Sequence, residues 1–498
     1  METLIRPWRR GDFPAVRRIL WESWVAAYQP FIPAEDLRAY FAATYNLDAL
    51  ARLYDNPRVH GFIAEADGEA VGFGRTQFHL NENRLYLASL YLLPSFQGKG
   101  IGGDLLRAAE ENARAYGLGE LWVGVMVKNE AAGRWYARRG FRFIREEPFR
   151  MGRTTVVHVI GSKAVVAAGE ADLRQRLTAV YPREGDAPPL AAAAAALLQR
   201  QKGEWPGLAD GYTALEAVRS REVRGGSWAV QVQFNPRRSV SSGARLDPES
   251  IRSRPCFLCR GNLPAPQRAI LYRETYLILC NPVPVFPGHL TVAHLCHLPQ
   301  SLADHREMFL RLAADFGPGL VLLYNGPRCG ASAPDHLHFQ AVPAGLLPAE
   351  RELRNAAGGA EVKRYGTAVI GVAGGIGRGA VVVEGTAAAD TAAALGEVIA
   401  ALGRTAAPDT EPMMNVLATH SGDGWRLMIF PRLKHRPDAY FREDEGKLCV
   451  SPGAVEMGGV FVTHREQDFQ VLDAALIGEI YREVAFDDAA VKVLVASL

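Results

Sequence analysis

Leu85-Tyr86-Leu87-Ala88-Ser89-Leu90-Tyr91-Leu92, running on into Gln97-Gly98-Lys99-Gly100-Ile101-Gly102, decides the reading of the first part of the chain. The apolar and aromatic run reads as a strand over residues 84–93. Residues 104–116 have the apolar spacing of an amphipathic helix, and residues 121–127 read as the next strand. Between strand and helix, glycines admit positive φ and let a ligand approach the backbone. The helix start adds free N–H groups and a partial positive charge. Such a turn holds a pyrophosphate with few cationic side chains, although a plain tight turn has the same composition. Upstream, residues 61–66 and 70–78 read as strands joined at Asp67-Gly68, a hairpin signal.

Downstream comes Asn129-Glu130-Ala131-Ala132-Gly133-Arg134-Trp135-Tyr136-Ala137-Arg138-Arg139-Gly140-Phe141. The two segments, in this order, resemble the GNAT acetyltransferase superfamily over residues 2–160. The resemblance implies an α/β domain at residues 1–162, a mixed, mostly antiparallel sheet flanked by helices, that acylates an amine from acetyl-CoA. It further implies that Gln97, Gly98, Lys99, Gly100 and Gly102 grip the CoA pyrophosphate, that Leu92 pairs with the pantetheine arm, and that Asn129 lies near that arm. Tyr136 falls where the family places the acid that protonates the departing thiolate, a role suited to a phenol whose pKa lies near that of the thiol. The packed-aromatic reading of Tyr136, beside Trp135, stands next to it. The strand 85–92 lacks the carboxylate that many members use as base, so no base is assigned.

The second chemical segment is Asp335-His336-Leu337-His338-Phe339-Gln340. His336, His338 and Gln340 alternate, which on a strand turns all three to one face. Before them, residues 324–334 are rich in turn formers and hydrogen-bond donors suited to phosphate, and Cys256-Phe257-Leu258-Cys259 has zinc-ligand spacing. Together these resemble the histidine-triad superfamily, in the branch of galactose-1-phosphate uridylyltransferase, diadenosine tetraphosphate phosphorylase and GDP-galactose phosphorylase. The resemblance covers residues 190–440. It implies an α+β domain of two halves, with His338 as nucleophile and Gln340 binding the transferred phosphoryl group. Asn325, Ser332, Arg237, Arg238 and Lys434 are the expected phosphate contacts. Zinc is expected on Cys256, Cys259, His297 and His336, with His294 competing for the place of His297. Leu337 stands where uridylyltransferases have proline, and one extra residue separates Ser332 from the histidines; with these departures the resemblance assigns neither sugar nor base.

The expected organisation is a linker at 163–189 and two halves at 190–345 and 346–498. A faint repeat supports the halves: strand, helix, strand, strand at 290–292, 301–316, 320–324 and 337–342, then again at 380–383, 391–402, 414–418 and 425–430. With 498 residues, 48% apolar and 22% charged, the chain has ample material for several cores. A net charge of +2 gives no reason to expect nucleic acid or a membrane surface as partner. The start Met-Glu-Thr-Leu-Ile-Arg lacks a leader's apolar run, and six cysteines make no disulfide framework, so a cytoplasmic enzyme is expected. Its expected partners are an amine and a nucleotide sugar or dinucleoside polyphosphate, and a homodimer is compatible with the pattern. Two rival readings are an acyl-CoA-sensing module and a zinc-stabilised domain without catalysis.

Overall fold

Strand Arg84–Leu92 lies at the centre of a seven-stranded sheet ordered Thr3–Pro7, Val59–Ala66, Glu69–His79, Arg84–Leu92, Glu120–Met126, Thr154–Ala164, Arg142–Met151. The structure is a computed structural model and describes all residues except 1–2, 80–81, 83, 117, 166–169, 183–188, 239–249, 252–253, 357–362 and 405–410. Every neighbouring pair in this sheet is antiparallel except Arg84–Leu92 with Glu120–Met126. That parallel pairing runs from Leu85↔Leu121 to Leu87↔Val123 and then stops, so beyond Leu87 the two strands no longer pair. Helix Phe13–Tyr28 buries Val16, Ile19, Leu20 and Trp24 against one face, in a core with Phe73 and Leu37. Helix Ile101–Ala115 covers the other face through Leu105 and Ala109. It begins at Ile101, ahead of the expected residue 104, because the glycine turn itself supplies the cap.

A second unit, built on Ala171–Leu246, Cys256–Leu295 and Pro299–Leu498, contains an eleven-stranded sheet. Its order is Lys363–Tyr365, Ala368–Ala373, Ala380–Gly385, Gly424–Pro431, Met414–Ser421, Leu320–Asn325, His338–Pro343, Leu290–His294, Tyr276–Cys280, Ala269–Tyr272, Leu177–Tyr181. The repeated pattern lies in the middle of this sheet. The antiparallel seam pairs Leu320–Asn325 with Met414–Ser421. Outward from it on both sides come the last strand of each series and then the first. The helices of the two series, Arg306–Phe316 and Ala388–Gly403, pack on each other. The opposite sheet face carries Val321, Leu323, Val342, Val382, Leu417 and Met428 into a core with Val230, Val232 and Phe461 of a three-stranded sheet and Ile477 of helix Ala474–Val484.

Two expectations change. The interval 163–189 is not a plain connector: Thr154–Ala164 runs past residue 162, and Leu177–Tyr181 joins the large sheet in parallel with Ala269–Tyr272. A short β-prone run caps an otherwise open strand edge there; residues 166–169 and 183–188 of this interval lie outside the described residues. The strand of the histidines starts at His338. The His336 N–H closes a turn onto the Ala333 carbonyl at 3.1 Å, so strand alternation relates His338 to Gln340 but does not include His336. Among the described residues no helix is long and apolar enough to cross a membrane.

Candidate functional site

In the first unit the glycine turn takes the conformation its composition demands. Gly98 and Gly100 have φ of 78° and 90°, a region that L side chains rarely adopt, and Gly100 caps helix Ile101–Ala115. Nothing lies within 4 Å of a Cβ built at either glycine, so their backbone faces open space. Gly102 sits within the first helical turn beside Leu92 and Trp135, and the Lys99 ammonium lies 4.8 Å from the Phe96 ring centroid. Gln97 Nε2 reaches the Leu92 carbonyl at 3.4 Å, and Ser23 Oγ donates to the same carbonyl at 2.8 Å. Asn129 caps helix Glu130–Arg138 by accepting from the Ala132 N–H at 3.2 Å, and its side chain also supports the Tyr28 hydroxyl.

Tyr136 is on that helix, buried against Trp135 and Phe141. Burial pushes its phenol well up, so it stays protonated. The phenol therefore does not match a thiol in pKa, contrary to the expectation from sequence. Tyr28 and Tyr91, whose hydroxyls are 3.1 Å apart, are raised for the same reason.

In the second unit hydrogen bonds fix the tautomers. His338 Nδ1 is 2.8 Å from the His336 carbonyl, which can only accept; Nδ1 thus carries the proton, and Nε2 keeps the lone pair. Gln300 clamps the backbone of His338: its Oε1 accepts from the His338 N–H at 2.8 Å, and its Nε2 donates to the His338 carbonyl at 2.9 Å and to that of Asn325 at 2.9 Å. Burial lowers the His338 imidazole to about 4. Gln340 follows on the same face. His289 Nδ1 accepts from the Val285 N–H at 3.2 Å, so its Nε2 carries the proton and donates to Gln340 Oε1 at 3.2 Å. Among the described residues the NH2 end of Gln340 has no hydrogen-bond partner assigned to it. Burial first, and Arg238 second, lower His289 to about 3, which keeps it neutral.

His336 has the complementary tautomer. Its Nε2 donates to the His294 carbonyl at 2.8 Å, leaving the Nδ1 lone pair directed at Cys256 Sγ at 3.3 Å and Cys259 Sγ at 3.6 Å. Cys256, Cys259, His297 and His336 each offer one ligand atom, and these atoms lie within 4.8 Å of one another. His294 is not in this group; its ring packs edge-on to Tyr276 and His305. The ligand types suit zinc, since soft thiolates and an imidazole lone pair converge in an apolar shell of Leu258, Leu263 and Leu277.

The remaining expected phosphate contacts divide. Arg238 is half-buried, donating to the Val283 carbonyl at 3.0 Å, with Glu456 and His289 close enough to interact with its charge. Arg237 is exposed. Lys434 Nζ is paired with Asp438 at 2.7 Å and Glu483 at 3.4 Å. The Asn325 side-chain carbonyl accepts from Asn415 Nδ2 at 2.9 Å and the Ala454 N–H at 2.7 Å. Ser332 lies in the bend before the histidines. Sequence reading missed His289 and Gln300. His289 stands inside Gly288-His289-Leu290-Thr291, where its parity with Thr291 was the available signal; Gln300 offers none without the pairing register.

Residues 13–141 match the acetyltransferase (GNAT) family, so the first unit is a GNAT acetyltransferase domain. Residues 197–343 match a domain of unknown function (DUF4922), and residues 378–496 match a GDPGP1-like C-terminal domain. Among curated relatives, an uncharacterized N-acetyltransferase from the pepI 3' region of Lactobacillus delbrueckii is 29% identical over 161 residues, 31% of this chain and 93% of that protein. An uncharacterized N-acetyltransferase of Mycobacterium tuberculosis is 29% identical over 126 residues, 25% of this chain and 80% of that protein. Among solved structures, the PaiA N-acetyltransferase of Thermoplasma acidophilum in complex with coenzyme A is 24% identical and covers 33% of this chain and 99% of its own, with a TM-score of 0.29.

Proposed function

We infer that the chain is a bifunctional transferase. Its first domain moves an acetyl group from acetyl-CoA to an amine. Its second exchanges a nucleotidyl group between a nucleotide sugar or dinucleoside polyphosphate and phosphate or a sugar phosphate. In the first reaction acetyl-CoA supplies the activated thioester. The open backbone at Gly98 and Gly100, with Gln97, Lys99 and Gly102, forms the pyrophosphate seat at a helix start. Leu92 ends the central strand where its parallel pairing has already ceased, leaving room for the pantetheine arm, and Asn129 braces the Tyr28 side of that cleft. Tyr136, beside Trp135 and Phe141 on helix Glu130–Arg138, is the group that protonates the departing thiolate.

The observation that carries the second activity is the pair of oriented side chains on one strand face: His338, whose Nε2 keeps the lone pair, and Gln340, whose Oε1 is held by His289 so that its NH2 turns the other way. In the first displacement the Nε2–phosphorus bond forms as the bond from phosphorus to the leaving oxygen breaks, and the leaving group departs as an anion. In the second, an acceptor phosphate oxygen attacks the same phosphorus and returns the lone pair to Nε2. Gln340 and Arg238 oppose the charge on the non-bridging oxygens. Cys256, Cys259, His297 and His336 would hold a structural zinc that fixes the turn entering the histidine strand. Donor labelled on its α-phosphate, supplied without acceptor, is expected to leave acid-labile, base-stable label on the chain; no retained label would refute the covalent step. Metal analysis of protein purified without chelators is expected to give about one zinc per chain, and finding neither zinc nor iron removes the metal assignment.

A further inference from the structure

Arg75 lies on strand Glu69–His79 and is only 8% exposed. Its Nε donates to Ser89 Oγ at 3.4 Å and its Nη1 to Gln77 Oε1 at 3.0 Å. Both acceptors are neutral, and among the described residues no carboxylate pairs with it. Buried guanidinium groups are ordinarily matched by a carboxylate, because an uncompensated charge is costly away from water. Strand parity fixes where this charge points. Phe73, two residues earlier, packs into the core beneath helix Phe13–Tyr28, so Arg75 faces the same side. Across the pairing, Tyr91 sits opposite Phe73 and Ser89 opposite Arg75. Tyr91 meets Tyr28 through their hydroxyls, and Tyr28 interacts in turn with the phenol of Tyr136. At the other end, Tyr40 feels the charge of Arg75, and its ring stacks on Trp24 at 6.0 Å and meets Phe149 edge-on at 5.8 Å. One sheet face therefore runs from Tyr136 along aromatic walls to the buried cation of Arg75, and strand Arg84–Leu92 adds no carboxylate to it.

We propose that Arg75 receives an anionic group of the amine acceptor, so that the acetyltransferase domain acts on small amines carrying a carboxylate or a phosphoryl group. The bulk of such an acceptor lies against the Tyr28, Tyr40 and Tyr91 side of the cleft, with its amine toward the thioester. A guanidinium can meet either anion with two parallel donors. The inference rests on the acetyltransferase reading of this domain and names its acceptor class.

The test uses the full chain, with acetyl-CoA and β-alanine, β-alaninamide or O-phosphoethanolamine, read as thiol release. One of the two anionic amines is expected to exceed β-alaninamide in kcat/KM by at least about tenfold, the worth of one charge-assisted hydrogen bond; which one separates carboxylate from phosphoryl recognition. Arg75→Gln is expected to collapse that ratio, chiefly through KM, and Arg75→Lys to keep part of it. Equal rates on all three amines in the unaltered protein overturn the anion site without needing a variant, while leaving the acetyltransferase reading intact. A ratio unchanged in a folded Arg75→Gln protein also overturns it. Acetyl-CoA binding with no acetylation of any amine defeats the acetyltransferase reading, and the acceptor class with it.

Discussion

The two series of the large sheet share one strand order but differ in how their last two strands are joined. In the second series the connection is a tight hairpin: pairing continues to Ser421↔Gly424, and Gly424, at φ 118°, comes so close to its neighbours that a Cβ would lie 2.4 Å from the Gly385 carbonyl oxygen. In the first series residues 326–337 intervene, and this stretch contains Cys329, Ser332 and His336 before the strand resumes at His338. The contribution of the second series lies at the opposite ends of its strands. Arg432 is buried, donating to Asn415 Oδ1 at 2.5 Å, and to the Pro452 carbonyl at 2.9 Å. Asn415 Nδ2 passes the support on to Asn325 Oδ1 at 2.9 Å and the Cys329 carbonyl at 2.7 Å. One series thus carries His338 and Gln340, and the other buttresses the loop that leads into them. A repeated scaffold fixes strand positions; the length of one connection decides which copy can hold a site.

The hardest test of this asymmetry is His338→Gly. Loss of a nucleophile is expected to cut nucleotidyl turnover by at least about 10^4-fold and to remove the covalent label, while acetyl transfer by the first domain persists. Free imidazole in the vacated space is expected to restore part of the turnover. Full labelling of this variant would move the nucleophile away from His338. Next in size is Gln340→Ala, which keeps the Nε2 lone pair but removes a donor aimed at developing charge. Turnover is expected to fall by about 10²–10³-fold with the label still formed slowly. An unchanged rate would mean that the strand face beyond His338 takes no part in the chemistry.

Much of this was legible locally. The positive-φ glycines at 98 and 100, the hairpin at Asp67-Gly68 and the repeated strand–helix pattern each follow from near-neighbour rules, so the sequence alone suffices for them. What it could not supply is register. His336 leaves the strand because a turn hydrogen bond to Ala333 wins over alternation, a choice that residue types do not reveal. Leu177–Tyr181 looked like part of a linker because the proline cluster after it is the stronger local signal; its partner, Ala269–Tyr272, is far away in the chain. Lys434 was expected to hold a phosphate, but the fold sets Asp438 and Glu483 beside it.

The buttress can be weakened separately. Asn415→Leu has nearly the same volume but strips Arg432 and Asn325 of a shared partner. Leaving buried polar groups and a charge undersatisfied is expected to cost about 2–4 kcal/mol in stability, measured by denaturant unfolding. Turnover per folded molecule is expected to fall less than with Gln340→Ala. If stability were unaffected, the second series would not be supporting the loop through this network.

The smallest expected effect is also the most specific. In the proposed reaction His289 acts through Gln340, because the Val285 N–H occupies its Nδ1 and so forces the proton onto Nε2. Removing it in His289→Ala leaves the Gln340 amide free to turn over, with its carbonyl facing the phosphoryl oxygens for part of the time. One net hydrogen bond is worth about 1–1.5 kcal/mol, so turnover is expected to drop by about tenfold, in kcat rather than in KM. In a Gln340→Ala background the same substitution is expected to cost almost nothing, because the side chain it orients is gone. A double-mutant cycle in which the two losses simply add would show that His289 acts on the site by another route.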